Sequence, residues 1–148
     1  MRFFALCILF AFAAAVNAQS GMIMITSKHS VAVTTDRLAK IVTEKGFTVV
    51  ARVNHAGAAK KVGTTLRPTE LLIFGNPKVG SALMSSQQSI GIDLPVKVLV
   101  WQAEDGKVWV GYNGPAYLVD RHSISDRQKV VDKMSGALKN FTNAAAGN

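Results

Sequence analysis

The chain has 148 residues, with 17 lysines and arginines against 9 acidic residues, a net charge of +8, 49% hydrophobic residues and one cysteine. That length suits a single domain with one core. The cysteine, Cys7, falls in a segment read below as a leader, which excludes a disulfide framework, thiol redox chemistry and a cysteine-ligated metal. The basic residues are scattered, concentrated only at Lys60-Lys61 and at Arg127, Lys129 and Lys133, so the aromatic-interleaved basic stripe of a nucleic-acid surface is missing.

Met1-Arg2 leads into a mostly apolar run, Phe3 to Val16, that closes at Val16-Asn17-Ala18 with small residues where a signal peptidase reads them. Residues 1–18 therefore read as a secretory signal peptide. The run is shorter than the roughly 20 apolar residues of a spanning helix, so the expectation is a periplasmic or secreted protein with no stable membrane insertion after cleavage.

Met22-Ile23-Met24-Ile25 reads as a strand buried on both faces. Ser30 caps a helix whose apolar positions are Val31, Leu38, Ile41 and Val42, and Gly46 stops it. Phe47 to Val53, rich in β-branched residues, is a second strand; Ala56 to Val62 makes one or two helical turns, and Glu70 to Phe74 a third strand. Asn76-Pro77 starts the next helix, asparagine as the cap and proline where no amide hydrogen is needed, with Val79, Leu83 and Met84 toward the core.

Pro95 opens a fourth strand, Val96 to Trp101, and Asp105-Gly106 predicts a type I′ turn into a fifth, Lys107 to Tyr112. In that register Glu104 faces Lys107. Leu99, Trp101, Ala103, Val108, Val110 and Tyr112 then share a core face, and Val98, Val100 and Trp109 lie on a second face covered by a helix or by a partner subunit. Ser125 and Gln128 have capping-box spacing ahead of a last, amphipathic helix striped by Val130, Met134, Ala137, Leu138 and Phe141. The domain spans 19–143, and 144–148 reads as a flexible tail.

Chemistry-bearing residues are sparse. His29, His55 and His122 are the three histidines; they have no metal spacing, and no metal or cofactor is expected. His55 and His122 stand as candidates that only the fold could bring together. The corner Phe74-Gly75-Asn76-Pro77-Lys78 offers helix-start amides, a glycine permitting close approach and a first-turn lysine, so Gly75, Asn76 and Lys78 are candidate contacts for a small anion. Lysine near the positive end of a helix dipole is mildly unfavourable without an anion. No serine sits in a nucleophile-elbow pattern, and Asp93 and Asp120 read as turn or cap residues.

Leu66-Arg67-Pro68, Leu71-Leu72-Ile73-Phe74-Gly75-Asn76-Pro77-Lys78, Gly91-Ile92-Asp93-Leu94-Pro95, the Trp101 hairpin and Tyr112-Asn113-Gly114-Pro115-Ala116-Tyr117-Leu118 together resemble the bacterial family called domain of unknown function 302, over about residues 22 to 141. The resemblance implies a compact α+β domain with a mixed sheet of about five strands and packed helices, commonly a homodimer, with no established activity. It also implies Arg67 and Asn113 near the 74–78 corner. Members often carry an acid before a histidine at the end of the second strand; here the pair is Asn54-His55, which puts in doubt any role needing a carboxylate there. Three functions stay open: a binding or accessory module holding a small anionic or apolar ligand at the corner, an enzyme using His55 or His122 as acid or base, and a structural or stress-related envelope protein acting through partners. Catalytic residues are not identified.

Overall fold

The computed structural model describes residues 21–148; the signal-peptide assignment at 1–18 lies outside them. In chain order the elements are β1 (Met22–Ser27), α1 (Val31–Glu44), β2 (Thr48–Asn54), α2 (His55–Lys61), β3 (Thr69–Gly75), α3 (Pro77–Met84), a 3-10 helix (Gln88–Ile92), β4 (Val96–Gln102), β5 (Val108–Asn113), α4 (Pro115–Arg121) and α5 (Gln128–Ala146). The domain is α+β, and its five strands form one sheet in the order β1-β5-β4-β3-β2.

Every neighbouring pair is antiparallel, where the resemblance implied a mixed sheet. The β1–α1–β2 crossover does leave its two strands running the same way. Three strands are inserted between them, however, so neither bonds to the other and each pairs with an antiparallel neighbour.

The helices bury one face of the sheet. Leu72, Phe74, Val98, Val100, Val110 and Tyr112 pack with Val31, Leu38 and Val42 of α1, Leu83 of α3 and Val131, Met134, Leu138 and Phe141 of α5. Phe47 meets Phe74 and Phe141 edge-on, with ring centroids 6.1 and 5.3 Å away, a geometry that sets the positive edge of one ring against the negative face of the other in each pair. Arg52 bridges Asp36 of α1 to Glu70 of β3, tying helix to sheet at the covered face.

The β4–β5 hairpin is offset by one residue from the expected register. Val98 lies opposite Tyr112, Val100 opposite Val110 and Trp101 opposite Trp109. The loop is Glu104-Asp105-Gly106: Ala103 N donates to Lys107 O at 2.8 Å, Gly106 N to Ala103 O at 3.1 Å, and Lys107 N to Asp105 Oδ1 at 3.0 Å. Only Gly106 has positive φ, at +82°. A three-residue loop with glycine in the left-handed position spares Asp105 that conformation and adds a residue to the connection. The one-residue change sends Leu99 and Trp101 to the opposite face and brings Val98 and Val100 into the core.

Three smaller expectations also change. β1 is an edge strand paired only with β5, so Met22, Ile23 and Met24 are exposed rather than buried on both faces. Ser125 does not cap α5: Arg127 occupies the N-cap without a side-chain bond, and the Gln128 amide donates forward to Asp132. The segment 144–148 is no loose tail. Ala145 and Ala146 are buried, Gly147 caps α5 in the left-handed region, Arg37 donates to the carbonyls of Ala144 and Ala145, and Lys28 donates to Gly147, satisfying helix-end acceptors.

The hairpin makes a stability prediction. No heavy atom lies within 4 Å of a Cβ built at Gly106, so Gly106→Ala pays only for its backbone conformation, about 1 kcal/mol. Urea denaturation should show that loss with an unchanged m-value, and Gly46→Ala, also at positive φ and in open space, should cost a similar amount.

Candidate ligand groove and a polar cluster beside it

Gly75 ends β3, and a Cβ there would meet Pro95 at 3.1 Å, so this close approach favours glycine. Asn76 then turns the chain into α3. Its side chain accepts from Lys78 N at 2.9 Å, and its carbonyl accepts from Val79 N and Gly80 N, both at 3.0 Å. With proline at the first helical position, the opening amides of α3 are engaged inside the corner itself. Lys78 is exposed. The corner therefore works as a capped helix start, and the feature it builds is apolar.

That feature is a groove of about 560 Å³ between α3 and α5, open to solvent on one side. Phe47, Phe74 and Val96 form its floor, Val79, Gly80 and Met84 of α3 one wall, and Met134, Ala137, Leu138 and Phe141 of α5 the other; Val50, Leu94 and Pro95 lie along the rim. The polar contributors are Thr48, Asn76, Ser81 and Lys133, and Lys133 is the single charged lining residue. Val50 reaches the rim because the β2–β3 register breaks between Val49 and Ala51, an irregularity of the kind that re-aims an edge side chain.

The other sequence candidates are dispersed. Gly75 and Asn76 line the groove; Lys78 does not. Arg67 precedes β3 at the opposite end of that strand, where its Nε donates to Gln102 O at 3.1 Å. His55 opens α2 at that same far end and is exposed, while Asn54 caps α2 by accepting from Gly57 N at 2.7 Å. Asparagine thus fills the capping role that an acid would also fill at this position. Asn113 ends β5 and lies on the sheet face away from the helices, in register with Met22.

His122 is the one candidate with an organised environment. It follows α4, its side chain 8% exposed. Nε2 is 2.7 Å from Asp93 Oδ2 and Nδ1 is 2.9 Å from Ser89 Oγ; Arg121 Nη1 donates to the other Asp93 oxygen at 3.2 Å, and Lys97 donates to the Asp93 carbonyl. His55 and His122 do not converge, since Asn54 pairs with Glu70 at one end of the sheet and Asp93 sits before β4 at the other. Among the described residues no group of three or more His, Cys, Asp or Glu could hold a metal. Sequence reasoning missed Ser89 and Asp93 because each is ordinary in its own loop and only α4 brings His122 to both.

The family model described as Domain of unknown function DUF302 matches residues 23–141. The chain belongs to that family. The crystal structure of an uncharacterized conserved DUF302 protein from Bacillus stearothermophilus is similar with a TM-score of 0.69 at 18% identity, covering 86% of this chain and 97% of that one, a likeness of fold alone. Two curated relatives carry channel names. Fluoride-specific ion channel FluC 1 of Brucella suis biovar 1 (strain 1330) is 43% identical over 129 residues, 86% of this chain and 51% of its own length. Fluoride-specific ion channel FluC 2 of Brucella melitensis biotype 1 is 43% identical over the same share of this chain and 48% of its own. The chain thus spans about half the length of these curated relatives, and among its described residues no helix is long and apolar enough to cross a membrane.

The two histidines separate in a stability measurement. His122→Ala leaves Asp93 and Ser89 without their ring partner and should cost about 1–3 kcal/mol in chemical denaturation. His55→Ala, at an exposed helix start, should stay within about 0.5 kcal/mol of the parent. Equal losses would contradict the placement.

Proposed function

We propose that this DUF302 protein is an exported accessory module that holds a small, mostly apolar ligand in the α3–α5 groove beside the Phe74–Lys78 corner. What supports this reading is the groove itself. Its volume of about 560 Å³ falls within the roughly 300–1,000 Å³ of small-molecule sites, and its lining is apolar apart from a few polar groups. Each methylene moved from water into it contributes about 0.8 kcal/mol. With Lys133 as the one charged lining residue, a ligand with a single negative head and one hydrocarbon chain matches the chemistry. Export rests on the leader-like sequence of residues 1–18. The accessory role draws on curated relatives named as fluoride channels, whose length this chain half accounts for.

Titration calorimetry with dodecanoate and dodecanol tests it. Both should bind; Lys133→Ala should weaken dodecanoate about tenfold, about 1.4 kcal/mol, and leave dodecanol unchanged. Ala137→Trp, which fills the groove, should abolish both. Absence of heat with either probe would contradict the reading.

A second reading, ester hydrolysis, is favoured by one observation: a serine hydroxyl, an imidazole and a carboxylate joined in line, with the serine on Nδ1 and the carboxylate on Nε2, the reverse of the usual triad's nitrogens but the same set of nucleophile, base and orienting acid. It expects p-nitrophenyl acetate turnover that disappears in Ser89→Ala and survives in His55→Ala. Turnover absent in the parent, or unchanged in Ser89→Ala, removes it.

A further inference from the structure

β5 turns Trp109, Gly111 and Asn113 away from the helices, because Val110 and Tyr112 between them are buried in the core. Two side chains converge over the glycine. A Cβ built at Gly111 would meet the six-membered ring of Trp101, with Cζ3 at 2.9 Å and Cη2 at 3.1 Å, and the Met22 sulfur at 3.4 Å. Trp101 arrives along one diagonal from β4, where it pairs with Trp109, and Met22 along the other from β1, where it pairs with Asn113; long and aromatic side chains span such diagonals. Met24 stands directly across from Gly111, on the same face of β1 as Met22. Two thioethers and an indole are thus gathered about one glycine, and the thioether residues are open to solvent, Met22 39% and Met24 43% exposed.

We infer that Met22, Met24 and Trp101 form a site for a soft monovalent metal ion, Cu(I) or Ag(I). This goes beyond the groove reading and does not rest on it, because the groove is lined by the helices and the covered side of the sheet. A thioether is neutral and polarizable, so it selects soft ions over hard ones. Residues two apart on a strand have Cα atoms about 6.8 Å apart, and methionine's three rotatable bonds let both sulfurs reach one ion between them. The indole completes the site, since the negative face of tryptophan attracts a cation held within roughly 6 Å of the ring. An ion on the Met22 sulfur is already beside that ring.

The surroundings decide the class of ion. The outward strand positions of β1, β4 and β5 carry no aspartate, glutamate, histidine or cysteine, so Ca²⁺ and Mg²⁺ lack their oxygen ligands and Zn²⁺ lacks its imidazole, thiolate or carboxylate. Lys97, the one charged side chain at those positions, donates to the carbonyls of Asp93 and Pro95 at 3.2 and 3.3 Å, which draws its ammonium to the end of the sheet. The chain has a second pair of methionines, Met84 and Met134, but these line the apolar groove, where a cation would give up its water without a polar group to replace it. The edge pair keeps water at hand and gives an ion an open path.

Silver nitrate in chloride-free buffer is the probe, added to methyl-labelled full chain carrying Cys7→Ser so that the thiol does not compete. The Met22 and Met24 methyl signals should move together and saturate at about one ion per chain, while Met84 and Met134 hold still. Both tryptophans lie on this face, so their emission should be quenched in step with the methyl shifts. Cu(I), kept reduced with ascorbate under nitrogen, should move the same two signals, and Zn²⁺ should move neither. Met22→Leu and Met24→Leu should each weaken Ag(I) about tenfold and stay folded by circular dichroism, because both sites are exposed and leucine is close to methionine in volume. No movement at equimolar Ag(I) overturns the inference, as does movement of Met84 and Met134 in place of the edge pair. So does unchanged affinity in the Met22→Leu/Met24→Leu double variant, which would leave an adventitious ion only.

Discussion

The cross-strand line Leu72–Val98–Tyr112 decides which half of each central strand is dry. Side chains alternate with a period of two, so once these three residues face the helices, Phe74, Val100 and Val110 follow them, and Leu71, Ile73, Leu99, Trp101 and Trp109 are turned outward. Full burial of each large apolar side chain contributes about 1.5–3 kcal/mol, and a one-residue slip of β4 against β5 would exchange that whole set for the outer one. The hairpin loop therefore does more than reverse the chain. Its glycine and the Asp105 side chain hold the offset on which the core depends.

The same alternation explains where the groove lies. β3 delivers Phe74 to the covered face and then stops, because Gly75 must pass close to Pro95 and Asn76-Pro77 commits the chain to α3. That helix and α5 both line the groove. Phe47 and Phe141, packed edge-on, prop the floor, and the wall residues of α5 are left facing a space that the short α3 does not fill. The apolar surface inside this DUF302 domain and the apolar surface outside it thus come from one register.

Much of this was legible in the sequence. Ser30, Asn76-Pro77 and Gly46 mark helix ends by local chemistry, and the structure places caps and stops at those residues. Five strands and the stripe of the last helix followed from periodicity. The hairpin register did not, because Asp105-Gly106 suits both a two-residue and a three-residue loop, and the choice is made by a hydrogen bond from Lys107 to Asp105 that no pattern announces. Nor could β1 be recognised as an edge, since strand order belongs to the whole topology. The anchoring of 144–148 depends on Arg37 and Lys28, more than a hundred residues away in the chain.

The corner singled out in the sequence borders the apolar groove, but its chemistry differs from the expectation. The sequence pointed to free amides and Lys78, whereas those amides are satisfied by Asn76 and the groove beside them is apolar, with Lys133 contributed from another helix. Ser89, Asp93 and His122 form a cluster that only tertiary packing assembles. Four of the five methionines sit where they can adjudicate: Met84 and Met134 line the groove, and Met22 and Met24 lie on the outer sheet face. A methyl spectrum of methionine-labelled protein titrated with dodecanoate at fixed protein concentration is the most direct measurement. The account predicts that the Met84 and Met134 signals move while Met22 and Met24 hold still; movement confined to Met22 and Met24, or none at all, would contradict it.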